Sequence, residues 1–117
     1  MKYRAAFASS DGKVINQHFG RARQFVILDI DDENKTWEYE ETRENVPSCD
    51  GGTHSDESLE QAAGIILDCR AVFVARIGSG AQSVLAQKNI QAVEIPYPIE
   101  EVIHALLYAK VKLIYER

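Results

Sequence analysis

Two strand signatures in a row, followed by strand–turn–helix units, constrain this chain more than any other feature. Phe25-Val-Ile-Leu-Asp-Ile30 is rich in β-formers, Asp31 to Lys35 is a polar turn, and Thr36-Trp-Glu-Tyr-Glu40 alternates apolar with acidic side chains as a half-solvated strand does. Together they predict a β-hairpin. Upstream, Ala5 to Ala8 is a small apolar strand, and Asp11-Gly12 predicts a second hairpin returning through Lys13 to Asn16. Ser55 as N-cap, with Asp56 and Glu57 in the first turn, predicts a helix whose apolar face holds Leu59, Ala62, Ala63, Ile66 and Leu67. Ala71 to Ala75 is then a wholly apolar strand, Gly78-Ser79-Gly80 a turn, and Ala81 to Lys88 a helical pattern. Gln91 to Ile95 forms a last strand before Pro96 and Pro98, and Ile99 to Lys110 carries a helical stripe at Val102, Ile103, Leu106 and Leu107. The expected fold is α/β: a mixed five-stranded sheet with antiparallel early strands, parallel strands added by right-handed crossovers, and flanking helices.

A chain of 117 residues with 45% hydrophobic and 26% charged side chains predicts one domain spanning residues 1–117. No apolar run approaches the roughly 20 residues of a membrane span, and MKYRAAFASSDG lacks the apolar stretch of a signal peptide, so a cytoplasmic protein with no membrane partner is expected. Net charge is −5, which disfavours nucleic acid as a partner. Arg4, Lys13, Arg21, Arg23 and Arg76 nevertheless fall in or beside site-like segments, so a small anionic ligand is compatible with an acidic whole. Glu38, Glu40, Glu41 and Glu44 read as a solvated face.

His18 is the first candidate ligand. It follows two amides and precedes Phe19-Gly20 outside any helical pattern. In sheets with parallel strands, ligands gather at the carboxyl ends, and these ends feed Ser9-Ser10-Asp11 after the first strand and Arg76 to Gly80 after the fourth. Gly78 and Gly80 allow a ligand close to backbone amides at a helix start, although spaced glycines more often serve plain turn geometry, and there is no Walker lysine or full dinucleotide fingerprint. Cys49 and His54, in the aperiodic stretch VPSCDGGTHSDES, either share an open-coordination metal or are a loop thiol and a polar residue before a helix. Two cysteines make no disulfide scaffold at this length. Cys69 and His104 both predict buried packing rather than ligation. No nucleophile elbow surrounds any serine, so a hydrolase reading rests on nothing specific and no catalytic residue is assigned.

The segment AFASSDGKVINQHFGRARQFVILDI at 5–30, the turn RIGSGAQSVL and the late IQAVEIPYPIEEVIHAL resemble the nitrogenase iron–molybdenum cofactor biosynthesis family of the NifX and NifY type, whose domain also occurs at the C-terminus of NifB. The resemblance implies a ribonuclease-H-like fold without nuclease activity. It also implies a small carrier that transiently binds an iron–sulfur or iron–molybdenum cofactor precursor, with cofactor-assembly proteins as donor and acceptor. The family's HFG histidine maps onto His18. Arg21, Arg23 and Arg76 are inferred to meet the cargo's negative charge, with Ser10, Gly78 and Gly80 beside them, and His18, Cys49 and His54 are the candidate metal ligands. Two alternatives stand beside this reading: a cofactor-free regulatory or interaction module, and a divalent-metal nuclease built on Asp11 and Asp29.

Overall fold

Strand β1 (Lys2–Ala8) lies in the middle of the sheet and dictates what the rest of the chain can do. The computed structural model describes residues 2–45 and 56–108. β2 (Gln24–Asp31) pairs antiparallel with β1, from Lys2↔Asp31 to Ala8↔Phe25, and β3 (Thr36–Glu44) pairs antiparallel with β2 at the outer edge. Helix α1 (Asp56–Ile65) leads into β4 (Ala71–Val74), which pairs parallel with the other side of β1. Helix α2 (Ser79–Gln87) leads to β5 (Gln91–Glu94), parallel to β4, and α3 (Ile99–Tyr108) closes the described chain. The sheet order is β3-β2-β1-β4-β5, the predicted mixed five-stranded α/β architecture.

Alternation along the strands divides the core in two. Ala6, Ala8, Phe25, Ile27, Val72 and Val74 pack against α1, the turn that follows it and α2, chiefly Ala62, Ala63, Ile66, Ala81 and Leu85. Ala5, Phe7, Val26, Leu28, Ile30 and Phe73 pack against Ile99, Val102, Ile103, Leu106 and Leu107 of α3. Phe7 and Phe73 stack across the parallel β1–β4 pair, with ring centroids 4.8 Å apart. β4 is covered on both faces, which explains its unbroken apolar run. Asn89 ends α2 in the left-handed region at φ 59°, and the Ile90 amide bonds back to the Leu85 carbonyl.

The second predicted hairpin does not form. β2 and β4 occupy both edges of β1, so no edge remains for Lys13 to Asn16 to pair along. Instead that segment crosses the sheet end, bridging Val14 to Pro98 and donating from the Ile15 amide to the Tyr97 carbonyl at 3.0 Å. The Asp11-Gly12 turn is real: Gly12 has φ 77°, and Asp11 Oδ1 accepts the amides of Lys13 at 2.8 Å and Val14 at 3.1 Å. α2 starts at Ser79, two residues before the predicted start, so Gly78 is its N-cap and Gly80 lies in its first turn. Ser55, Ala109 and Lys110, predicted in helices, lie outside the described residues.

Candidate functional site

The carboxyl ends of β1, β4 and β5, the start of β2 and the end of β3 all meet at one edge of the sheet. His18 reaches that edge because the chain between β1 and β2 is stitched to the exit of β4. His18 and Arg76 form a parallel β-bridge, with the Ala75 amide donating to the Gln17 carbonyl at 2.9 Å and the Phe19 amide to the Arg76 carbonyl at 3.0 Å. Phe19 is fully buried against Phe25, with centroids 5.9 Å apart, and it anchors the loop while its neighbour His18 stays exposed. His18 itself caps a single 3-10 turn, Phe19–Arg21, in extended geometry (φ −75°, ψ 145°), and its carbonyl accepts the Arg21 amide.

Three further contacts fix the loop. Gln17 Oε1 accepts the Arg23 amide at 3.1 Å. Asn45, buried at the end of β3, donates its side-chain amide to the Ala22 carbonyl at 2.7 Å and its backbone amide to the Arg23 carbonyl at 2.8 Å. From below, Leu59 of α1 lies 3.6 Å from where a Cβ on Gly20 would sit and 3.8 Å from one on Gly80, so a single leucine underlies both loops. Gln17, Asn45 and Leu59 were not singled out from sequence. Gln17 stood as one of the two amides before His18, whereas Leu59 read as an ordinary helix-face residue.

Charge sorts the arginines. Arg21, Arg23 and Arg76 are exposed at this edge, and among the described residues none forms an ion pair. Arg4, expected beside the site, is elsewhere: it lies opposite Asp29 toward the amino end of β1 and binds Asp29 Oδ1 and Asp68 Oδ2, each at 2.8 Å. Arg43 takes Asp68 in a bidentate pair at 2.6 and 2.8 Å and Glu41 at 2.6 Å. These two guanidiniums are neutralised within the fold. Gly78 and Gly80 are exposed beside Arg76 at the start of α2, and the Ile77 amide is held by Glu94 Oε2 at 3.1 Å. Ser10 sits apart, exchanging hydrogen bonds with Asn16 and lining a cavity on the α3 side of the sheet.

The remaining candidates separate clearly. Cys49 and His54 lie outside the described residues, within the link from Asn45, at this edge, to α1. Cys69 is buried, as expected, and burial with the neighbouring Asp68 charge pushes its thiol up to about 12. His104 is not buried. It stands on the exposed side of α3 with its ring 4.8 Å from that of Tyr108. Asp11 and Asp29 are not brought together: Asp11 organises the loop beyond β1, whereas Asp29 pairs with Arg4 near the opposite end. Among the described residues no cluster of three metal-binding side chains is present.

A family model described as dinitrogenase iron-molybdenum cofactor matches residues 1–108. The chain belongs to that family. It is 37% identical over 101 residues to the FeMo cofactor biosynthesis protein NifB of Chlorobaculum tepidum, a match covering 86% of this chain but 23% of that protein. It is 40% identical over 86 residues to the protein NifY of Klebsiella pneumoniae, covering 74% of this chain and 35% of NifY. The chain therefore spans only a quarter to a third of these relatives' lengths. Its fold is also that of the apo orange protein from Desulfovibrio gigas, with a TM-score of 0.66 at 17% identity, covering 95% of this chain and 92% of that one. This dinitrogenase-cofactor family member has no described helix long and apolar enough to cross a membrane.

Proposed function

We propose that this domain is a non-catalytic carrier that transiently holds an anionic iron–sulfur or iron–molybdenum cofactor precursor at the His18–Arg76 edge during metallocluster assembly. The observation that carries the proposal is the backbone bridge between His18 and Arg76, which sets two exposed residues side by side at this edge, Arg76 forming no ion pair among the described residues. An imidazole is a ligand for iron through its neutral ring nitrogen, and Arg21, Arg23 and Arg76 supply positive charge that a polyanionic cluster requires. The amides at the start of α2, capped by Gly78 without a side chain, add a partial positive field from the same side. One imidazole on a braced loop grips such a cargo less tightly than a closed cage, which suits release to an acceptor. Cys49 and His54 complete the proposed ligand set from the adjoining link, and Ser10 is its most peripheral member.

Family membership and the NifB and NifY relatives support cofactor assembly as the setting, with assembly proteins as donor and acceptor in the cytoplasm. The strand order, three antiparallel strands continued by two parallel ones, supports the ribonuclease-H-like assignment. To test the reading, isolated cofactor precursor is added anaerobically to wild type, His18→Ala and Arg76→Gln, and retained iron and visible absorption are measured after gel filtration. Wild type retains iron, His18→Ala loses most of it, and Arg76→Gln retains it only at low salt. Equal retention by all three removes this edge as the site.

A further inference from the structure

On the opposite face of the sheet, α3 leaves part of the β2–β3 surface uncovered. Val26 and Leu28 form the floor of a cavity of about 620 Å³, with Trp37 and Tyr39 of β3 on one side and Ile99 and Ile103 of α3 on the other. The two aromatic rings are 44% and 58% exposed, although their register partners on β2, Ile30 and Leu28, are buried. β3 is also the outer strand of the sheet, nine residues long, with its far edge unpaired among the described residues. It carries Glu38, Glu40, Glu41 and Glu44, and its single cation, Arg43, is committed to Asp68 and Glu41.

We propose that the β3 edge and this groove dock an extended, basic segment of a partner protein, one that alternates lysine or arginine with apolar residues. Two features of β3 select that occupant. Its side chains alternate, with Trp37 and Tyr39 on the groove face and Glu38 on the α1 face beside Glu41, which Arg43 already holds, so an added strand meets apolar surface on one side and carboxylate on the other. Its charge also rejects a second copy: two β3 edges would set glutamates against glutamates, and the irregular register between Ile27 and Leu28 distorts the strand further against self-pairing. A basic strand relieves that repulsion, and its alternate apolar residues bury the exposed rings.

Trp37 is the sole tryptophan, so its fluorescence reads this groove directly. The probe is a synthetic peptide of alternating lysine and valine. A peptide of the same composition with its lysines and valines blocked, and an alternating glutamate–valine peptide, serve as controls. The lysine–valine peptide is expected to shift Trp37 emission to the blue, and rising salt weakens this complex. Glu38→Lys combined with Glu40→Lys weakens it roughly tenfold or more with an unchanged circular dichroism spectrum. Any one of three results overturns the proposal: equal response to the blocked or glutamate peptide, no response to the basic strand in wild type, or a blue shift on concentrating the protein alone. No metal enters the measurement, so its failure and the failure of cargo loading are distinguishable.

Discussion

Asp68→Asn tests the charge cluster that holds the sheet and α1 together behind the proposed cargo edge. The Asp68 carboxylate accepts from both terminal nitrogens of Arg43 and from Arg4 at 2.8 Å, so one side chain ties β3 and β1 to the turn that follows α1. The Arg43 hydrogen bonds first, and those of Arg4 next, hold its carboxyl well below the usual carboxylate range, against the opposing push of burial. A unit-charge pair at about 4 Å is worth about 4 kcal/mol at an effective dielectric near 20. Solvent removes most of that, because the Asp68 side chain is 43% exposed and Arg4 36%. Exposed pairs contribute about 0.2–1 kcal/mol each, and bidentate geometry at Arg43, only 20% exposed, places this cluster at the upper end. The expected loss in Asp68→Asn is about 1–2 kcal/mol at pH 7. The folded pKa is depressed, so the stabilisation is fully present above the unfolded value of about 3.9 and is lost as pH falls through the folded one. The gap between wild type and variant should therefore stay constant from about pH 8 to pH 5 and narrow below about pH 4. Urea unfolding at several pH values measures it. A variant as stable as wild type at pH 7, or a gap unchanged near pH 3, refutes the reasoning.

Two glycines are expected to respond in opposite senses to alanine. Gly12→Ala places a Cβ at φ 77° and loses about 1–2 kcal/mol, whereas Gly80→Ala, in the first turn of α2 with 3.8 Å clearance to Leu59, gains up to about 1 kcal/mol; thermal unfolding of both checks this. In a Cys49→Ser background, Cys69 stays unreactive to a thiol reagent at pH 8 until denaturant is added, because burial and a thiol pKa near 12 leave almost no thiolate. Phe7→Ala, which removes a fully buried ring stacked on Phe73, destabilises by about 3–5 kcal/mol in the same urea assay.

The fold was legible wherever local pattern and global topology agree. β4 is sandwiched, and its sequence is wholly apolar; β3 lies at an edge, and its sequence alternates with glutamate. The Asp11-Gly12 turn was legible too, but its consequence was not. A hairpin signal says that the chain reverses, and it cannot say that both edges of β1 are already taken by strands that follow later. His104 failed for a related reason: a stripe at Val102, Ile103, Leu106 and Leu107 leaves position 104 on the outer side of the helix, and the apolar neighbours in sequence are not its neighbours in space.

The site divides along the same line. His18 and Arg76 are 58 positions apart; sequence placed Arg76 in the loop after a parallel strand but set His18 beyond the expected Lys13 to Asn16 return strand, and it is the crossing of that segment over the sheet end that brings both to one edge. Sequence could not distinguish the arginines, because Arg4, Arg21, Arg23, Arg43 and Arg76 are chemically identical until pairing distances are known. Asp68 makes the distinction: by taking Arg4 and Arg43 it removes two guanidiniums from those available to a ligand and leaves Arg21, Arg23 and Arg76 without an ion pair among the described residues. An anion held there is expected to depend on Arg21, Arg23 and Arg76 and to be indifferent to Arg43. Arg43→Lys should accordingly lower stability without altering cargo retention per folded molecule. If it releases cargo as fully as Arg76→Gln does, charge at this edge is not supplied locally, and the division of the arginines into structural and ligand-facing sets is wrong.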